Sequence, residues 1–319
     1  MTLQPNALKN LYKILYPKNM SNQLKIITAK RAGFCFGVER AVDMAFITAQ
    51  NSSNVYTLGP IIHNPQVIDK LRSEGVEPIS TIESRDIKVL IIRTHGVPRE
   101  VLETLSRKKF RVIDATCPFV KKAQQYAKLL NEAGYQVVIV GDEEHPEVKG
   151  LMSYAGNDVV VINRAKMLPK LKNKVGVVVQ TTQPLSLLKE IMLDMLEHIK
   201  EIKVFNTICN STSLRLKETK TMAKAVDMVL VVGGKNSANT TQLATLCTSM
   251  SVPTYHIETA SEIREEWFSC VRSVGITAGA STPDWIIKEV EERIKARGGR
   301  APNGHPNKGR NKRTRKTLC

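Results

Sequence analysis

Long apolar runs are missing from this sequence. None reaches the roughly 18 residues that a membrane span needs, so no span is expected. The N-terminal stretch carries Lys9, Lys13 and Lys18 but no apolar core with a small-residue cleavage site, so no secretory signal is expected either. Aromatic residues make up only 5% of the chain, with no aromatic-rich RNA-binding signature, which argues against a specific nucleic-acid reader. Cysteines are sparse, six in 319 residues at positions 35, 117, 209, 247, 270 and 319, and no C-x-x-C pair occurs. A disulfide framework therefore fits poorly and a reducing cytoplasm fits better. Acidic residues are absent from both ends: residues 1–31 hold six Lys/Arg and residues 297–319 hold eight. Those fourteen charges leave only +3 of the net +17 for residues 32–296, so the body is nearly neutral. The basic ends could bind RNA or anionic membrane nonspecifically.

Hydrophobic residues at 42% and charged residues at 24% describe an ordinary globular chain, long enough for two or three units. The segment 297–319 is rich in Gly, Pro, Asn and basic residues and reads as a disordered tail, and 1–23 reads as a small extension. Between them, β-branched runs alternate with helical patterns. The clearest strands are 25–28, 88–93, 111–115, 136–140, 158–162, 175–179, 202–205, 227–232 and 272–277; helices are expected over 118–132, 184–199, 213–225 and 283–296. Continuous Val/Ile/Leu runs suit parallel strands buried on both faces, and the alternation implies an α/β fold.

One local pattern recurs. A strand leads to Cys35, Cys117 and Cys209 in turn, and a helix follows each. The spacings of 82 and 92 residues imply three similar small α/β units: 24–117, 118–208 and 209–296, with the 24–35 strand open to pairing in the third unit instead. Each block also carries two polar loops between a strand and a helix. They hold His63 and His95, then His145 and Thr181–Thr182, then Ser237 with Asn239, and Ser281. In α/β sheets such loops lie at the carboxyl ends of the strands, where ligands bind. Each precedes a helix N-terminus, where free N–H groups favour anions such as phosphate.

Singly, a cysteine of this kind is most often a small buried hydrophobe. Three in one context point to ligation instead. A helix N-terminus favours thiolate, and three thiolates can hold zinc with a fourth ligand, or an iron–sulfur cluster with one iron left open. Spacing alone does not choose, and a zinc-containing phosphate-binding module of three Cys and one His, without redox activity, is the alternative reading. His63, His95 and His145, each followed closely by proline at a helix start, can donate to phosphate at neutral pH. Glu147 is either a first-turn acid that complements the helix dipole or a proton donor facing the pocket. Gly33 and Gly37 flank Cys35 and suggest close backbone approach to a bulky group. Cys247 and Cys270 read as core, and Cys319 as an exposed tail thiol.

The stretches AGFCFGVERAV, GPIIHNPQV, THGVP, DATCPFV, HPEVKG, QTT, KNSANTTQL and TAGASTPD run in order over about residues 25–296. Together they resemble the LytB-type family of 4-hydroxy-3-methylbut-2-enyl diphosphate reductases. The resemblance implies three α/β units with mostly parallel sheets, arranged as a trefoil around a central cluster. It implies one [4Fe–4S] cluster per chain on Cys35, Cys117 and Cys209. Substrate contacts would come from His63, His95, His145, Thr181, Ser237, Ala238, Asn239 and Ser281, with catalysis by Glu147 and Thr181. The implied reaction is a two-electron reductive dehydroxylation giving isopentenyl and dimethylallyl diphosphate, with reduced ferredoxin or flavodoxin as donor, in a cytoplasmic monomer or dimer. Two positions depart from the family pattern: Phe36 stands where Ala is common, and Ala238 where Ser is common.

Overall fold

The computed structural model describes residues 24–83, 86–165, 168–269 and 271–298. The expectations for 1–23, Cys270 and Cys319 lie outside those residues. Among the described residues, twelve strands form three separate four-stranded sheets, and every pairing between them is parallel. In chain order the strands are β1 (Lys25–Thr28), β2 (Val55–Leu58), β3 (Val76–Ile79), β4 (Val89–Ile92), β5 (Arg111–Asp114) and β6 (Gln136–Val140). They continue with β7 (Val160–Ile162), β8 (Lys174–Val179), β9 (Glu201–Phe205), β10 (Met228–Val232), β11 (Thr254–Ile257) and β12 (Ser273–Ala278). The helices are α1 (Phe36–Asn51), α2 (Pro65–Ser73), α3 (Arg99–Ser106), α4 (Pro118–Glu132) and α5 (Pro146–Met152). After them come α6 (Leu185–Leu196), α7 (Asn210–Ala223), α8 (Ala238–Ser249) and α9 (Asp284–Gly298). Arg297, read from sequence as the first residue of the tail, is still helical and pairs with Glu265.

The strand orders are β3-β2-β4-β5, β7-β6-β8-β9 and, read the same way, β11-β10-β12-β1. The three sheets therefore share one topology, but the fourth strand of the last sheet is the first strand of the described chain. Lys25 pairs with Ser273 and Thr28 with Ile276. In each sheet the two central strands lead to the polar loops, and the fourth strand leads to a cysteine.

Val, Ile and Leu fill the central strands because both faces are covered. Val137 to Val140 of β6, and Leu90, Ile91 and Ile92 of β4, are fully buried. Helices pack on each side of the β6-containing sheet, with Leu130 and Leu151 on one face and Ile191 and Met195 on the other. Such parallel sheets need apolar residues at every position rather than at alternate ones. The edge strands are weaker signals: β3 carries Pro78, which an edge tolerates because one row of N–H groups goes unused. Cys247 is fully buried against Leu243 and Val231, as the helical rhythm of its neighbours predicts.

Candidate active site

Cys35, Cys117 and Cys209 are the N-cap residues of α1, α4 and α7. N-caps are usually Ser, Thr, Asp or Asn, whose side chains accept from the free N–H groups of the first turn. None of the three cysteines makes such a side-chain cap bond. All three are free thiols, and all three line one cavity of about 270 Å³. At Cys117 and Cys209, burial pushes the thiol pKa above its ordinary value, and the neighbouring cysteines push it further; the N–H groups of Phe119 and Val120, and of Ser211 and Thr212, pull the other way. The helix N-termini thus favour thiolate as expected, but burial outweighs them. A bound cationic centre would tip the balance back, since a coordinating thiol is deprotonated outright.

The backbone around the thiols is close-fitting. A Cβ placed on Gly37 would sit 2.5 Å from the Cys117 Sγ, so glycine in the first turn of α1 is what lets the Cys117 thiol stand there. Gly33, at φ +100°, instead lies against the start of α9, where a Cβ would meet the Asp284 side chain. Phe36 is 61% exposed and is not among the cavity-lining residues, so this departure from the family pattern points away from the site.

His63, His95 and His145 come from three different loops and meet in the same cavity. The His63 and His95 ring centres lie 5.0 Å apart, and those of His95 and His145 5.3 Å apart, the latter pair edge to face. Burial lowers the pKa of all three, most of all at His95, and the Arg93 cation adds to the effect. The group is therefore neutral at neutral pH. His145 caps α5 by accepting the Glu147 N–H on Nδ1 at 3.2 Å, which places its own proton on Nε2. The His95 Nδ1 is buried without a hydrogen-bond partner among the described residues. Arg93 does not line the cavity; its guanidinium packs over Gly59.

Glu147 sits in the first turn of α5 and is 1% exposed. Its carboxyl oxygens accept from the Thr181 N–H at 2.6 Å and the Thr181 hydroxyl at 2.8 Å. Those two bonds favour the carboxylate, but burial dominates and pushes the pKa up to about 7. A carboxyl with its pKa raised to about 7 is partly protonated at neutral pH and can exchange its proton there.

The third sheet contributes Ser237, Asn239 and Ser281 to the same cavity. Ser237 caps α8 without a side-chain cap bond, and the Asn239 Oδ1 is buried without a partner among the described residues. Asn64 donates to the Ser281 carbonyl at 2.9 Å, tying the His63 loop to the Ser281 loop. Ala238 opens α8 on the same loop. Lys235 is engaged elsewhere, by Glu262 at 2.7 Å. Neutral hydroxyl, amide and imidazole groups are thus the polar lining, together with Thr94, Thr182, Ser211, Thr212 and Asn236, which were not singled out in the sequence except for Thr182. Thr94 and Asn236 sit next to singled-out residues in the same loops, and the pocket position of such neighbours has no sequence signature of its own.

The match to known proteins is extensive. Residues 26–295 match the family described as LytB protein. The chain belongs to the LytB family. Among curated relatives, the 4-hydroxy-3-methylbut-2-enyl diphosphate reductase of Pelobacter propionicus is 52% identical over 273 residues, covering 85% of this chain and 98% of the relative. The protein of the same name from Geobacter sulfurreducens is 52% identical over 274 residues, covering 85% and 97%. A solved structure described as (E)-4-hydroxy-3-methyl-but-2-enyl diphosphate reductase, the terminal enzyme of the non-mevalonate pathway, superimposes with a TM-score of 0.72 at 46% identity, covering 86% of this chain and 99% of that one. The E-1-hydroxy-2-methyl-but-2-enyl-4-diphosphate reductase of Plasmodium falciparum gives 0.76 at 25% identity, covering 86% and 88%. The LytB fold is thus the three-unit α/β arrangement seen here, and the family is generally one of iron–sulfur oxidoreductases. No helix among the described residues of this LytB chain is long and apolar enough to cross a membrane.

Proposed function

We propose that this chain reduces (E)-4-hydroxy-3-methylbut-2-enyl diphosphate to isopentenyl and dimethylallyl diphosphate. Two electrons and two protons enter, the C–O bond to the hydroxyl breaks, and the oxygen leaves as water. The observation that carries the reading is a single cavity lined by three thiols, three histidines and a buried carboxyl whose pKa is raised to about 7, drawn from all three units.

The residues present fit a [4Fe–4S] cluster on Cys35, Cys117 and Cys209, one per chain. The thiols are unengaged N-caps, and Gly37 leaves the space beside Cys117 that any side chain would fill. They fit a single zinc ion less well. A tetrahedral site with Zn–S bonds of about 2.3 Å needs sulfurs about 3.8 Å apart. Among the described residues, the one trio of His, Cys, Asp or Glu with ligand atoms all within 4.8 Å is Asp194, Glu197 and His198, not the three thiols. When bound, the cluster supplies the electrons and an open iron as Lewis acid.

The protein's own groups do the rest. His63, His95 and His145 each offer an N–H, and Ser237, Asn239 and Ser281 offer hydroxyl and amide donors, so the diphosphate is held largely by neutral donors. The anion in turn raises the histidine pKa values and recruits protons to the site. The diphosphate anchors the short carbon chain, which fixes the far hydroxyl near Thr181 and Glu147. Once protonated, Glu147 donates in turn to the Thr181 hydroxyl, 2.8 Å away, whose own proton goes to the departing oxygen. Free thiols at Cys35, Cys117, Cys209 and Cys247 suit a reducing compartment, so we place the reaction in the cytoplasm, with an iron–sulfur or flavin protein as donor.

Anaerobic purification with iron, sulfide and zinc analysis tests this directly, with EPR spectra recorded with and without the diphosphate substrate. Four irons and four sulfides per chain, with a spectrum that changes on substrate addition, are expected. Stoichiometric zinc without sulfide, after reconstitution under exclusion of oxygen, would leave the reading without its centre.

The turnover number is also expected to fall as pH rises through about 7, because only the protonated Glu147 can donate. Thr181→Val removes a hydrogen bond that favours the carboxylate, so the Glu147 pKa rises and the alkaline limb moves to higher pH, along with a loss in rate. A pH–rate profile of the two proteins, flat across this range or shifted the other way, would remove Glu147 from the role.

A further inference from the structure

Arg215 lies six residues after Cys209, in the second turn of α7, and is 4% exposed. Among the described residues, no carboxylate forms an ion pair with it. Its Nη1 instead donates to two backbone carbonyls, those of Arg31 and of Ala278, the latter at 2.9 Å. Both carbonyls belong to segments that fix Cys35. Arg31 lies in the turn closed by the Ala32 N–H on the Ala29 carbonyl, just ahead of Cys35. Ala278 ends β12, and two residues later the Ala280 carbonyl accepts the Cys35 N–H at 3.2 Å. Glu218, three positions along α7 from Arg215, holds the same turn from its own side, accepting the N–H groups of Lys30 at 2.8 Å and Arg31 at 3.0 Å. The helix capped by Cys209 therefore grips the segment that presents Cys35.

A buried guanidinium without a paired carboxylate is costly unless other negative charge faces it. Burial lowers the pKa of Arg215, and the leading opposing influence is the charge of Cys35, followed by Glu218, with Cys209 contributing as well; Arg31 acts in the same direction as burial. Glu218 and, as thiolates when they ligate, Cys35 and Cys209 are thus the negative groups that act on Arg215. Fixed positive charge and hydrogen bonding around a cluster are general determinants of its reduction potential, because reduction adds negative charge that a nearby cation stabilises.

We infer that Arg215 is a positioning residue for the cluster, locking the Cys35 turn to the Cys209 helix and setting a fixed positive charge near both ligands that makes the cluster easier to reduce. This rests on the proposed ligation by Cys35, Cys117 and Cys209. Its test reads the cluster rather than the turnover. Wild type, Arg215→Met and Arg215→Lys are reconstituted anaerobically, assayed for iron and sulfide, and titrated potentiometrically with EPR detection.

At the wild-type midpoint, Arg215→Met is expected to show at least a tenfold lower ratio of reduced to oxidised cluster, a shift of about 59 mV for a one-electron couple. Arg215→Lys keeps the charge and is expected to stay closer to the wild-type potential, with lower iron retention because the lysine ammonium does not reproduce the position from which Nη1 reaches both carbonyls. Loaded Arg215→Met at the wild-type potential would overturn the inference. If Arg215→Met folds but fails to load, the lysine variant decides: a potential near wild type supports the charge, and a tenfold shift in it overturns the charge. A wild-type protein without any iron–sulfur cluster would instead count against the proposed function itself.

Discussion

Glu147→Gln is expected to lower turnover by a factor of about 10² to 10⁴, the usual worth of a positioned proton donor, while the diphosphate still binds. Glutamine matches the carboxyl in shape and keeps an oxygen for the Thr181 N–H, so the local structure survives. It cannot release a proton toward the Thr181 hydroxyl. The substitution also relieves a native-state burden. Burial raises the folded-state pKa of Glu147 to about 7, above its ordinary carboxyl value. Stability from the protonated carboxyl is therefore complete below the unfolded pKa and is lost as pH rises toward and through about 7. Thermal unfolding of the glutamine variant should show less of this alkaline loss than the parent. Steady-state rates with a chemically reduced donor, together with calorimetric binding of the substrate, separate the two effects. Turnover left intact in the variant would end the proton-donor assignment.

Gly37→Ala should yield a folded protein that does not hold its cluster. Alanine is a better helix former than glycine by about 1 kcal/mol, and Gly37 lies in the first turn of α1 with an ordinary backbone. The helix itself has nothing against the change. The obstacle is the residue that caps α4, since the new Cβ would stand 2.5 Å from the Cys117 Sγ and 3.2 Å from its Cβ. A thiol can rotate away, so the chain accommodates the methyl, but the sulfur then leaves the position from which it reaches the cavity. Circular dichroism close to wild type, with iron and sulfide reduced as far as in Cys117→Ala, is the expected pair of results. Full iron content in Gly37→Ala would mean that the thiol tolerates displacement and that the tight contact has no bearing on ligation.

Much of this was legible in the sequence, for physical reasons. Strands buried on both faces announce themselves as unbroken Val/Ile/Leu runs, which is why β6, β8 and β10 stand out. Short strands with polar or proline residues, such as β2, β3 and β11, do not, because a four-residue element has too few positions to show a period. The recurrence of strand, cysteine and helix marked the three units, and the polar loops marked the cavity. The resemblance supplied the roles. What the sequence withheld is geometry between residues far apart in the chain. Nothing in the local pattern around Glu147 says that Thr181, 34 residues away, supplies both of its hydrogen bonds. Nor does the helical pattern of α7 show that Arg215, an apparently ordinary charged residue, turns inward onto carbonyls 184 and 63 residues distant. The thiol pKa values follow the same rule: helix N-termini are visible in sequence, whereas the burial that outweighs them is not.

The pairing of β1 with β12 has a consequence for how the protein is made. Lys25 emerges from the ribosome early, but its partner Ser273 is translated 248 residues later. Closing so long a loop costs entropy that only the finished last sheet can repay. Two sheets can form during synthesis, whereas the segment that carries Cys35 has no sheet to join until β10 and β12 exist. A nascent chain can thus present Cys117 and Cys209, but not the third thiol in its place. Metal delivered during translation meets an incomplete set, and assembly of the centre is deferred until the two ends of the fold have met.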